Sequence, residues 1–344
     1  MQLRHLASLT ICATVALAGC GSAASTANAP TSGGTGGTAG TGGTGTGDRP
    51  TVIAAFYPLE YALQRVGGQH ISVVNLTKPG AEPHDLELTP RDVATVSKAA
   101  LVVYERGLQP SLDKAIDGVD TTKTMDVAKV AELTLKHGAA IGAKADEHAD
   151  EHADEHGDEH ADEHEHAAEA GTIDPHFWLD PVRYAAVVDA IAVRLGEFDP
   201  QRAQDYRRNG QELGRELTAL DEQFRAGLTT CRSRDLVTSH AAFGYLAKRY
   251  GFNQVSIAGL TPEAEPDPAA LAAVSTFAKQ RKVTTIYAET LVSPAIAETV
   301  ARETGAKTAV LDPLEGLAAD AGDANYLTVM RANLETLRKG QGCS

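Results

Sequence analysis

Three histidines stand in short motifs marked by proline or aromatic residues. His84 lies in Glu82-Pro83-His84-Asp85, His176 in Asp174-Pro175-His176-Phe177-Trp178, and His240 in Thr238-Ser239-His240-Ala241-Ala242-Phe243. Neutral imidazole is a borderline ligand suited to Zn²⁺, and four-coordinate zinc accepts three nitrogens plus a carboxylate or water. Pro83 and Pro175 restrict the backbone beside two of the rings, and Phe177 and Trp178 would wall such a site from water. Asp312, in Leu311-Asp312-Pro313-Leu314, is the expected fourth ligand. Glu289, at the end of Ile286-Tyr287-Ala288-Glu289, competes for that place or orients one of the histidines through its second nitrogen. A lone loop histidine is usually inert. Three that recur at corresponding strand-to-loop junctions, with a carboxylate at a fourth, point to a metal instead.

Those junctions follow from the apolar patterning. Residues 51–56, 71–76 and 101–104 read as strands, with helix starts at Pro58 and Thr89-Pro90. After a different stretch the pattern recurs: strands over 235–239, 283–288 and 308–311, helices over 242–250 and 294–304. Strands alternating with helices at this spacing predict an α/β fold of parallel βα units, whose ligands bind beyond the carboxyl ends of the strands. The intervening stretch, 199–228, opens with Asp199-Pro200 and carries Tyr206, Leu213, Leu217, Leu220 and Phe224 at steps of three, four and seven. It reads as one long amphipathic helix, a stiff strut between two lobes.

The first 20 residues read as a processing signal, with a short basic start, an apolar stretch too brief to span a bilayer, and Leu17-Ala18-Gly19-Cys20. That ending resembles a bacterial lipobox, so Cys20 is the expected site of lipidation. Residues 22–47, almost wholly Gly, Thr, Ser and Ala, read as a flexible tether. The expected organisation is therefore 1–20 signal, 21–50 tether, 51–198 first lobe, 199–228 linking helix and 229–344 second lobe. Cys231 and Cys343 remain in an exported chain, and a disulfide between them is expected to staple the C-terminus to the start of the second lobe.

The net charge of −15 is local. Between Asp146 and Glu169 stand 12 acidic residues and no Lys or Arg; without them the chain carries only −3. No basic patch is left for phosphates, which excludes nucleic acid as a partner. Within this segment a four-residue unit, Glu-His-Ala-Asp, repeats and places histidines at 148, 152, 156, 160 and 164, with His166 added. Dense charge of one sign and no large apolar residue predict a disordered loop over 145–170. His148, His152, His156, His160, His164 and His166 are expected to collect zinc weakly and release it on mild acidification.

Taken together, Pro79-Gly80-Ala81-Glu82-Pro83-His84-Asp85, Asp174-Pro175-His176-Phe177-Trp178-Leu179, Ser239-His240-Ala241-Ala242-Phe243-Gly244-Tyr245 and Leu311-Asp312-Pro313-Leu314 resemble the zinc-uptake (ZnuA-like) branch of the metal-binding solute-binding proteins of ABC transporters. The resemblance spans 51–344 in order. It implies two pseudo-symmetric βα lobes, a rigid linking helix and one metal between the lobes, held by His84 and His176 from the first lobe and His240 from the second. Asp312 falls where the family often places a carboxylate ligand. Manganese-handling relatives commonly offer a carboxylate at the position of His240, so a third nitrogen there favours Zn²⁺ over Mn²⁺. A histidine-rich insertion before the second motif also resembles zinc members. The implied function is capture of zinc outside the cytoplasm by a monomer anchored to the cell membrane, and delivery to an integral-membrane ABC permease.

Other readings use the same residues. A manganese-binding member of the family differs in metal alone. Three histidines also describe catalytic zinc, but the chain has no His-Glu-x-x-His element and no nucleophile elbow, so no enzyme is expected. A metal-buffering adhesin lipoprotein is compatible with the tether.

Overall fold

Eight short strands form two four-stranded sheets, every pairing parallel, in the computed structural model of the chain, which describes residues 49–138, 171–263 and 266–344. The expected signal, Cys20, all but the last two residues of the tether, and the repeat with its six histidines lie outside the described residues. The first sheet has the order β2-β1-β3-β4, from β1 (Thr51–Ala54), β2 (Ser72–Asn75), β3 (Leu101–Tyr104) and β4 (Thr124–Asp126). The second repeats it as β6-β5-β7-β8, from β5 (Asp235–Thr238), β6 (Asn253–Ser256), β7 (Thr285–Ala288) and β8 (Lys307–Val310). The identical order makes the lobes topological copies. In each, the first and third strands lie side by side, the switch point at which open α/β sheets hold ligands.

Helices α1 (Tyr57–Gly67), α2 (Pro90–Lys98) and α3 (Pro110–Ile116) belong to the first lobe, and α6 (Gly244–Tyr250), α7 (Pro268–Arg281), α8 (Ala295–Thr304) and α9 (Tyr326–Gly340) to the second. Several starts were written in the sequence. Pro90 follows Thr89, whose hydroxyl accepts from the Asp92 amide while the Asp92 carboxylate accepts from Thr89, a reciprocal cap.

The expected strut is α5 (Ala203–Gly227), led in by a 3₁₀ turn at Pro200–Arg202. All five of its spaced apolar residues, from Tyr206 to Phe224, are fully buried. It does not stand alone. A helix that the periodicity did not single out, α4 (Pro181–Phe198), packs along it. At their crossing a Cβ on Gly210 would sit 2.8 Å from that of Ala192, so only glycine allows the approach. One apolar core runs from β1 and β3 through α4 and α5 to α9, and a smaller one lies under α7 and α8. The linking helices are thus part of the lobes' core.

The two cysteines are joined. Cys231 and Cys343, 112 residues apart in sequence, form a disulfide that fastens the chain after α9 to the strand lead-in before β5. Among the described residues no helix is long and apolar enough to cross a membrane.

Candidate metal centre

Strand register places the site. Val237 pairs with Ile286 and Thr238 with Tyr287, and the Ser239 amide still donates to Tyr287 O at 2.9 Å. Two residues further on, His240 and Glu289 therefore emerge side by side from the carboxyl ends of β5 and β7. The Glu289 carboxylate receives the backbone N–H of His240 at 3.1 Å and stands 2.7 Å from its Nδ1. His176 is set by a different device. Asp174 accepts both the His176 amide (2.9 Å) and its Nδ1 (2.8 Å), so one short acid fixes ring and backbone together. Asp174 has room because Gly244 faces it: a Cβ there would fall 2.3 Å from the Asp174 Oδ2. His84 comes from the long loop after β2, whose Pro83 carbonyl accepts from the buried Gln109 amide at 3.1 Å.

The three rings converge. Centroids lie 5.3 Å apart for His176 and His240, 5.4 Å for His84 and His176, and 6.4 Å for His84 and His240. The carboxylate among them is Glu315, not Asp312. Glu315 Oε1 lies 3.0 Å from His176 Nε2, 3.1 Å from His240 Nε2 and 3.6 Å from His84 Nε2. One ligand atom from each of these four residues lies within 4.8 Å of every other, a grouping found nowhere else among the described residues. A tetrahedron around zinc at ordinary ligand distances has edges of roughly 3.3 Å. The spacing is that of a coordination shell. Two Nε2 atoms, of His84 and His176, and Glu315 Oε2 are buried without a hydrogen bond, the signature of groups built for another partner.

Asp312 is displaced for a backbone reason. Its Oδ1 accepts from the Leu314 amide at 2.7 Å, and Leu314 takes a left-handed φ of 57°. Asn333 closes the turn by binding both the N–H and the C=O of Asp312. Asp312 thus makes the turn that aims Glu315 inward, and burial pushes its own carboxyl up to about 6. Glu289, the other candidate, stands behind His240 on the side away from Glu315. Trp178 does wall the centre: it is fully buried, 5.2 Å from His176 by centroid, and its Nε1 donates to Pro313 O. The sequence carried a signal for Glu315 in the acid that follows Asp-Pro-Leu, and one for Asp174 two residues before His176.

Charge in the centre is balanced internally. Burial alone would drive both His176 and His240 toward neutrality, but the facing carboxylates outweigh it and raise both above the usual imidazole range, His240 the more strongly. Burial lowers His84, and Glu315 only partly restores it. Glu315 shows the converse: burial pushes it up, yet three imidazoles hold it well below the ordinary carboxylate value. Glu82, whose Oε1 accepts from the His84 amide, is pushed up to about 9 by burial and then by Glu315.

A cation binding to these nitrogens must displace protons. Because His176 and His240 are raised, they hold protons to higher pH than free imidazole, and affinity should fall as pH is lowered from about 8 to 6. Titrations in buffers of different ionisation enthalpy should register about one to two protons released per ion. An affinity independent of pH across this window would remove the histidines from the shell.

Comparisons with known proteins agree with this architecture. Residues 52–340 match the family model described as zinc-uptake complex component A, periplasmic. The chain is 35% identical over 294 residues to the high-affinity zinc uptake system protein ZnuA of Bacillus subtilis, covering 85% of this chain and 88% of that one. It is 36% identical over 291 residues to the zinc-binding protein AdcA of Streptococcus pyogenes, covering 83% of this chain but spanning only 55% of that relative's length. The solved Zn(II)-bound ZnuA-like domain of Streptococcus pneumoniae AdcA superposes with a TM-score of 0.66 at 31% identity, over 85% of this chain and 99% of the domain. Twin parallel lobes, a helical strut and a buried histidine cluster thus coincide with a sequence match along nearly the whole described chain, which belongs to the zinc-uptake complex component A family.

Proposed function

We propose that the protein captures Zn²⁺ outside the cytoplasm and delivers it to an ABC-type permease, with His84, His176, His240 and Glu315 as ligands and no catalysis. The observation that carries this is the fourfold convergence of three imidazole Nε2 atoms and one carboxylate in a buried space between the lobes. Three neutral nitrogens and one anion suit zinc better than manganese, which favours more oxygen. A hydrolytic zinc keeps an open position for water beside a substrate path. Here Glu315 closes the fourth corner and His176, His240 and Glu315 are all buried. Asp174 hydrogen-bonds the second nitrogen of His176, which fixes its tautomer and strengthens the ring as a donor, and Glu289 stands 2.7 Å from the second nitrogen of His240.

The relatives' names, two for zinc binding or uptake and one for a zinc-bound domain, support the choice of cargo. In this reading the chain is held at the membrane through a lipid on Cys20, and the histidine repeat over 145–170 collects zinc weakly and passes it on. A zinc titration of the full chain tests it. One ion should bind tightly and several weakly, the weak ones lost on deleting 145–170, with Mn²⁺ displaced by Zn²⁺ from the tight site. Absence of a tight zinc site would refute the capture reading. In cells, Cys20→Ala should release the protein from the membrane fraction, and retention would refute the anchor.

A further inference from the structure

The turn that carries His176 belongs to the first lobe, yet it is gripped by the second at several points. Gly244 lies against Asp174. Trp178 Nε1 donates to Pro313 O at 2.8 Å, and the Tyr326 hydroxyl donates to Trp178 O. At the turn's end stands Asp180, which caps α4 by accepting the Val182 amide at 2.9 Å. Arg249, on α6, reaches across to it: its Nε lies 3.2 Å from Asp180 Oδ1. The same guanidinium is held by Asp221 of the linking helix, at 2.6 Å to Oδ1 and 2.9 Å to Oδ2. Tyr250 OH and Arg225 hold Asp221 in turn, at 3.0 and 2.9 Å. Arg183, beside Asp180, stacks over the Tyr245 ring at 4.7 Å, and the Tyr245 hydroxyl accepts from the Leu135 amide.

The consequence is geometric. Helix α6 begins four residues after His240, and Asp180 lies four residues after His176. The Asp180–Arg249 pair therefore ties the two histidine-bearing segments to each other and, through Asp221, to the strut. We propose that Arg249 is a positioning residue that locks the His176 turn against the His240 lobe and so sets how long the ion is retained. His176 and His240 cannot separate while this contact holds. His84, on a loop outside the clasp and the only ligand with measurable side-chain exposure, at 10%, is then the ligand that lets go first. This inference rests on the capture reading above.

The test is zinc release from the loaded full chain into a strong chelator, followed by stopped flow. The proteins are wild type, Asp180→Asn, Arg249→Met and the double variant. Asparagine caps a helix as well as aspartate does, so Asp180→Asn removes the ion pair and leaves the fold intact. Each single substitution should speed dissociation about tenfold with association changed less than about twofold, and the double should be no faster than the faster single. Arg249→Lys, which keeps the charge without the fork, should recover part of the retention. A purely structural role for Arg249 would lower the melting temperature without this split of rates. Release from Asp180→Asn at the wild-type rate, or effects that add in the double variant, would overturn the clasp. A wild type that binds no zinc would instead sink the capture reading on which the clasp depends.

Discussion

Glu315→Gln is expected to weaken zinc binding on the order of a thousandfold while leaving the fold unchanged. Glutamine keeps the shape of the side chain and removes the one negative charge shared by all three Nε2 atoms, 3.0 to 3.6 Å away. Loss of an outer partner of a metal ligand already costs about 10–100-fold, and a ligand that also supplies the charge should cost more. The companion variant discriminates. Asp312→Asn retains the side-chain oxygen that receives the Leu314 amide, and asparagine makes the same turn. It should hold zinc within about threefold of wild type by isothermal titration. Equal losses in the two variants would return Asp312 to the shell.

His240→Ala should be at least as damaging, and for two reasons. It deletes one of three nitrogens, and it leaves Glu289 and Glu315 facing an emptied, buried space without the imidazole that balances them. Glu315 then faces two imidazoles rather than three and is held less firmly against protons that compete with metal. The tight site should be lost, again on the order of a thousandfold, with any weak sites retained. His240→Asp offers oxygen in place of nitrogen and should narrow the preference for Zn²⁺ over Mn²⁺. A competition titration with both ions reads this directly; an unchanged preference would show that His240 does not select the metal.

Much of this was legible in the sequence because the relevant signals are local. The apolar runs at 51–56, 101–104 and 235–239 contain the observed strands, and the spacing of Tyr206 through Phe224 identified the strut with its buried face. His84, His176 and His240 were visible because each ends a strand or opens a turn beside proline or aromatic residues. What stayed hidden depends on contacts distant in the chain. The α4 helix is apolar on much of its surface, since it packs on α1 and α5 together, so no narrow stripe marks it. Strands β4 and β6 are short edge strands with mixed residues.

The carboxylate that stands among the rings lies three residues beyond the expected Asp312 for a similar reason. Asp312 is nearest the end of β8 and looks like the ligand in one dimension. Only the left-handed Leu314, set by Asp312 and Asn333, turns Glu315 into the cluster. Glu289 was open between two roles, and the β5–β7 register places it behind His240.

A crystal of the zinc-loaded protein, measured on both sides of the zinc absorption edge, addresses the ligand set most directly. A single anomalous peak between the lobes is expected, within about 2.0–2.2 Å of Nε2 of His84, His176 and His240 and of a Glu315 oxygen. A peak bound instead through Asp312, or none near the three rings, would contradict it.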